Sequence, residues 1–153
     1  MSETQILARQ ILEIIPPVMR MLSADIRGSG HLPSPAQFGV MVTLAYHSCN
    51  LSSLADDQGV SLPTMSSTIN TLEERGWVRR TRSTVDRRVV IVELTEAGLD
   101  QLLIIRCYAE ERLMALLGSI TDVERDSLTA GLSVMKSIFD VTEGQISQKE
   151  GID

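Results

Sequence analysis

At 153 residues the chain is one domain's worth of polypeptide, long enough to bury a real core. Apolar residues make up 43% of it, yet its aromatics number only one Trp, two Tyr and two Phe, so the core must be aliphatic, as suits helices packing on helices. No apolar run approaches the ~18 residues of a membrane span, and a net charge of −6 argues, taken alone, against a nucleic-acid partner.

The opening stretch MSETQILARQ has neither the basic start nor the apolar segment and cleavage site of a secretory signal, so a cytoplasmic protein is expected. Cys49 and Cys107, with no CxxC spacing, fit reduced thiols there. Residues 5–27 carry Leu7, Ile11, Ile14, Ile15, Val18, Leu22 and Ile26 at helical spacing, a stripe wider than one core contact requires. Pro16 and Pro17 remove backbone donors in its middle and predict a kink or break. GSGH at 28–31 is a loop. Ser34-Pro35-Ala36-Gln37 combines an N-cap, a first-turn proline and a capping-box glutamine, opening a second helix that runs to about His47.

A short third helix covers about Leu51 to Gln58, with Gly59 placed to end it. Ser61 caps a fourth, whose buried stripe is Met65, Ile69 and Leu72 and which stops at Gly76. Trp77–Arg80 and Arg88–Leu94 read as two strands of a hairpin around the turn TRSTVD. Thr95 caps a helix to about Leu117, and the box Thr121-Asp122-Val123-Glu124 opens a last one to about Thr142. The fold class expected is mainly α with a small β-hairpin wing. Two short helices joined at a glycine and followed by a basic hairpin make a winged helix-turn-helix.

The charge distribution reverses what the net charge suggests. From Arg75 to Arg88 there are six arginines and one acid, Asp86, a local +5, while the rest of the chain holds 8 basic and 19 acidic residues. Twelve of the fourteen basic residues are Arg, whose planar fork matches phosphate. Such a concentrated cationic patch steers an anionic partner. In a helix-turn-helix the second helix enters the major groove. Here its outward face presents Pro63, Thr64, Ser66, Ser67 and Asn70 behind the cap Ser61. The hydroxyls can donate to phosphate, and Asn70 can read a base edge, adenine being its bidentate partner. Arg80, Arg82, Arg87 and Arg88 are the expected wing contacts to the minor groove or its phosphates. A carboxylate there would be repelled by DNA, so Asp86 is expected to brace the wing by pairing with a nearby arginine.

Residues 51–98 resemble the DNA-binding core of the MarR family of transcriptional regulators. The resemblance rests on Leu54-Ala55, the Ser61/Thr64/Ser66 helix start, Leu72-Glu73-x-x-Gly76, Val78-x-Arg80, Asp86-Arg87-Arg88 and Leu94-Thr95-x-x-Gly98. It implies a single domain over 1–153, with a winged-helix region at about 32–94 and dimerisation helices at about 5–27 and 95–144. It further implies a homodimer that binds a pseudo-palindromic double-stranded operator as a repressor and is released by a small phenolic or lipophilic effector. The family's effector pocket corresponds here to the surroundings of Pro17, Met21, His31, Phe38 and Met41. Pro16-Pro17 and Trp77 depart from the family pattern. The link HSCN leaves little room for the small strand that precedes the third helix in that family.

Catalysis is not expected: no Ser has a base at motif spacing, no Gly-rich phosphate loop is present and there are two histidines. No cofactor or metal is expected either. Two variants of the same fold stay open. His47-x-Cys49, with His31, could serve a metal sensor and an exposed thiolate an oxidant sensor. A winged helix that binds protein in place of DNA is the third possibility, and the arginine cluster speaks against it.

Overall fold

The computed structural model describes residues 1–27 and 32–139, with the side chains of 25–27 left aside. The predicted loop at 28–31 and residues 140–142 of the predicted last helix lie outside the described residues. The first helix, α1, is Glu3–Arg27 and passes without interruption through Pro16 and Pro17. The expected break is therefore absent. The prolines leave the carbonyls of Leu12 and Glu13 without intrahelical donors, and both of those residues are exposed, where water can satisfy them.

Helix α2, Pro35–Tyr46, begins with the reciprocal capping box read from the sequence: the Ser34 hydroxyl accepts from the Gln37 amide and the Gln37 side chain accepts from the Ser34 amide. The short link before the third helix does hold a strand: β1 is only Cys49–Asn50. Two residues suffice because Asn50 has a double role, pairing with Ile91 and capping helix α3, Leu51–Gln58, through a 2.8 Å bond from the Ser53 amide. Gly59 ends α3 in the left-handed region, φ 64°, and Val60 N–H reaches back to Ala55 O at 3.0 Å. Helix α4, Leu62–Glu74, is capped by Ser61, and its chain reverses at Gly76, φ 75°.

Strands β2, Val78–Arg82, and β3, Val90–Leu94, form the hairpin, with Arg80 opposite Val92 and Arg79 opposite Glu93. The sheet has three strands in the order β1-β3-β2, one more than the hairpin expected. β2 also runs two residues further than predicted, because Thr81 and Arg82 pair with Ile91 and Val90. Helix α5, Glu96–Leu117, starts at the cap Thr95, and α6, Asp122–Ile138, at the capping box of Thr121 and Glu124.

One aliphatic core joins α2, α3, α4, the sheet and the first turns of α5. Met41, Leu54, Ile69, Leu72 and Val92 are fully buried in it, with Val40, Leu44, Met65, Val78 and Leu102 beside them. No polar side chain is buried among the described residues. α5 abuts the hairpin base through Gly98, where a Cβ would stand 2.1 Å from the Trp77 carbonyl oxygen. Trp77 packs against the core from the base of the hairpin, as its position in the sequence suggests.

Candidate nucleic-acid interface

The core turns the other face of α4 outward. Pro63, Thr64, Ser67 and Asn70 are exposed and Ser66 half-buried, so the stripe read from the sequence does form one surface. Its hydroxyls are partly engaged. Ser61 Oγ accepts from the Thr64 amide at 3.3 Å and shares a 2.9 Å hydrogen bond with the Thr64 hydroxyl, so Ser61 is first of all a cap. Pro63 has no N–H and Ser61 holds the amides of Thr64 and Met65, so the Leu62 amide is the one donor the first turn leaves for an anion.

The wing tip is built by two side chains. Ser83 Oγ accepts from the amides of Val85 and Asp86, at 3.2 and 3.4 Å. Asp86 Oδ1 accepts from the Arg88 amide at 3.0 Å, and Val89 N–H closes onto Asp86 O at the same distance. Asp86 thus braces the turn through backbone in place of the expected arginine side chain. An Asx-type bond to an amide two residues on forms within the turn itself and needs no long side chain to be held still. Ser83 is a turn-building residue that the sequence reading omits; the Ser-x-x-Asp spacing inside a turn is the signal that points to it.

The six arginines then separate into two groups. Arg79 bonds Glu93 across the strands at 2.7 Å, and Arg80 pairs with Glu73 on α4. Arg75 donates to Leu32 O at 3.4 Å and lies over the Trp77 ring, 4.9 Å from its centroid. Arg82 donates to Arg87 O at 3.2 Å, which ties the two sides of the tip. Arg87 and Arg88 are exposed, and neither guanidinium has a hydrogen bond or ion pair among the described residues. Those two guanidiniums are free, while Arg75 and Arg82, held by carbonyl oxygens, keep their charge without a carboxylate partner among the described residues. Arg80, expected as a phosphate contact, is instead turned toward α4.

Of the five residues expected around an effector, one lines an apolar pocket among the described residues. A pocket of about 150 Å³ lies between α1, the start of α2 and α5, lined by Met19, Leu22, Ser23, Pro33, Pro35, Phe38, Ile105 and Ala109. Phe38 is there; Met41 is sealed in the core, Pro17 is exposed and Met21 lines no part of the pocket. His31 lies outside the described residues. On the unbroken α1 the residues that line this pocket are Met19, Leu22 and Ser23, three and four apart on one face, and not Pro17 or Met21.

Burial, and after it the neighbouring Asp57 carboxylate, push the Cys49 thiol above its ordinary value, the reverse of what a reactive thiolate needs. Among the described residues no three His, Cys, Asp or Glu side chains converge on a common point. No helix among them is long and apolar enough to cross a membrane.

The comparisons with known proteins agree with this geometry. The MarR family model matches residues 34–90. The HTH-type transcriptional regulator YfiV of Bacillus subtilis is 31% identical over 106 residues, 67% of this chain; the chain spans 64% of that relative's length. The transcriptional regulator BldR from Sulfolobus solfataricus superimposes with a TM-score of 0.63 at 25% identity, covering 90% of this chain and 99% of BldR. Streptococcus pneumoniae FabT, solved in complex with DNA, gives 0.60 at 22% identity over 90% of this chain and 98% of its own, a likeness of fold. The region at 34–90 is thus that of the MarR family, and the chain built around it has the winged-helix fold of MarR-family transcriptional regulators.

Proposed function

We propose that this chain is a homodimeric, sequence-specific DNA-binding regulator that represses from a pseudo-palindromic operator and is released by a small apolar effector. The observation that carries the DNA reading is the wing: Arg87 and Arg88 stand exposed on a turn braced by Ser83 and Asp86, beside the uncharged outer face of α4. An acidic chain that leaves two arginines unpaired at one rigid tip has placed its positive field where a duplex meets it. FabT, which shares the fold, was solved on DNA.

The dimer is supported by the apolar surface outside the core. α6 buries none of its side chains, and Leu128, Leu132, Val134, Ile138 and Phe139 are exposed along it. Ile6, Leu7, Ile14 and Ile15 on α1 are exposed as well. Exposed apolar stripes on this scale mark an interface, and a second copy supplies matching ones by symmetry. An operator bound by two wings and two α4 helices would then have two-fold symmetry. The effector reading is supported by the apolar pocket beside α1 and α5, whose volume is on the order of that which admits a single aromatic ring.

Selection of bound duplexes from a random library, with sedimentation of the selected complex, tests the whole reading. An inverted-repeat consensus bound by two chains is expected. Recovery of sequences with no consensus, or a complex holding one chain, would overturn it.

A further inference from the structure

Arg80 reaches from β2 back to α4 and uses its guanidinium on three groups there. Nη1 pairs with the Glu73 carboxylate, while Nη2 donates to Asn70 Oδ1 at 2.7 Å and to Ser66 O at 3.4 Å. The side chain is only 25% exposed and its charge is met by Glu73. A guanidinium has donors and no acceptor, so the atom of Asn70 that faces it has to be the amide oxygen. The amide therefore presents its Nδ2 hydrogens outward from the exposed face of α4, and they have no protein partner among the described residues.

We infer that Arg80 is a positioning residue that turns the NH2 group of Asn70, in preference to its oxygen, toward the operator, matched to a base edge made of acceptors. This rests on the DNA reading above and sharpens it. A free asparagine reads adenine with both halves of its amide, the oxygen accepting from N6 and the NH2 donating to N7. The oxygen keeps a second lone pair, but Arg80 draws it toward β2, so an adenine N6 donor has to compete with the guanidinium for it. Guanine offers N7 and O6, two acceptors side by side, and is the edge that suits an NH2 group alone. The clamp spans two elements, so the reader is also held rigid: β2 carries Arg80, α4 carries Glu73 and Asn70, and the packing of Met65, Ile69 and Leu72 beneath fixes their separation. Glu73 keeps the guanidinium in place by neutralising it; with no carboxylate there, the cation would turn to a phosphate.

The test compares operators selected from a random duplex library by the wild-type chain, Asn70→Ala and Arg80→Met, each variant's fold being checked by its thermal unfolding. In the wild type, one position per half-site should hold guanine, and Asn70→Ala should lose the preference at that position alone. Arg80→Met should raise adenine there to equal or exceed guanine, with the slope of log K against log salt unchanged. On the wild-type protein, 7-deazaguanine at that position should weaken binding by about tenfold, the effect of a lost base contact, and should have no effect on Asn70→Ala. The deaza probe needs no altered Arg80, so it decides the matter even if Arg80→Met unfolds. An unaltered consensus in Asn70→Ala or Arg80→Met overturns the proposal and leaves the DNA reading standing. A salt slope that falls by about 0.9 in Arg80→Met would make Arg80 a phosphate contact and overturns it as well. Failure of the wild type to select any consensus removes the DNA reading and this proposal with it.

Discussion

The winged core and the helices around it use the same kinds of side chain to opposite ends. In the core, Leu54, Ile69 and Leu72 are 0% exposed; on α6, Leu128 and Leu132 are 43% and 50% exposed, and no residue of that helix is buried. The two regions do not differ in capping, since α4 and α6 each begin with a hydroxyl cap and α6 adds a complete capping box. They differ in what covers their apolar stripe. The core completes itself within one chain; α6 and the outer face of α1 present finished helices with nothing yet against them. A helix stripe in a sequence therefore reports that burial is needed and is silent on which chain supplies it.

This contrast fails if the two regions respond alike to substitution. Ile69→Ala should cost about 2–5 kcal/mol, because it empties a fully buried site, and the loss measured by urea unfolding should not depend on protein concentration. Leu128→Asp together with Leu132→Asp should act differently. The dimer dissociation constant read by sedimentation should rise on the order of a hundredfold, each tenfold being about 1.4 kcal/mol, and the unfolding midpoint should cease to depend on concentration. Were α6 ordinary surface, that pair would change stability by less than about 0.5 kcal/mol and leave sedimentation as it was.

Gly98→Ala probes the seam between the regions, where α5 leaves the hairpin base. Its methyl would meet the Trp77 carbonyl, and the neighbour is backbone, so α5 has to move. A loss of about 1–3 kcal/mol is expected, with a shift in Trp77 fluorescence. A lesser response is expected to pH at the start of α6. The Thr121 amide, and then its hydroxyl, bond the Glu124 carboxylate and hold its pKa below the ordinary range. A depressed folded pKa means stability that is present above the unfolded value of about 4.3 and is lost as pH falls through the folded one. Amide exchange in the first turn of α6 should therefore quicken on acidification, and Glu124→Gln should flatten that dependence.

Much of this fold is legible in the sequence because its starts and stops are written in short-range chemistry. Ser34, Ser61, Thr95 and Thr121 cap where their spacing says they cap, and Gly59 takes the left-handed conformation that ends α3. What is not legible depends on partners distant in the chain. β1 is two residues long and exists only because Val92 and Ile91 lie opposite. The cationic segment counted from Arg75 to Arg88 omits Glu73 and Glu93, which flank it and pair with Arg80 and Arg79. Those pairs leave four of the six arginines without a carboxylate among the described residues, and since Arg75 and Arg82 are held by carbonyl oxygens, only the guanidiniums of Arg87 and Arg88 stand free at the tip. The pocket departs from expectation for a similar reason: the path of α1 through two prolines decides which of its side chains face Phe38.

If the wing of this acidic chain meets a duplex with those two arginines, binding must carry their signature in its response to salt. Affinity for the selected operator, measured by fluorescence anisotropy across salt concentrations, reads that signature. The wild-type slope of log K against log salt should be steep and negative, and Arg87→Ala and Arg88→Ala should each flatten it by about 0.9, one phosphate contact apiece. An affinity indifferent to salt, or slopes identical in all three proteins, would show that the wing does not hold DNA in this way.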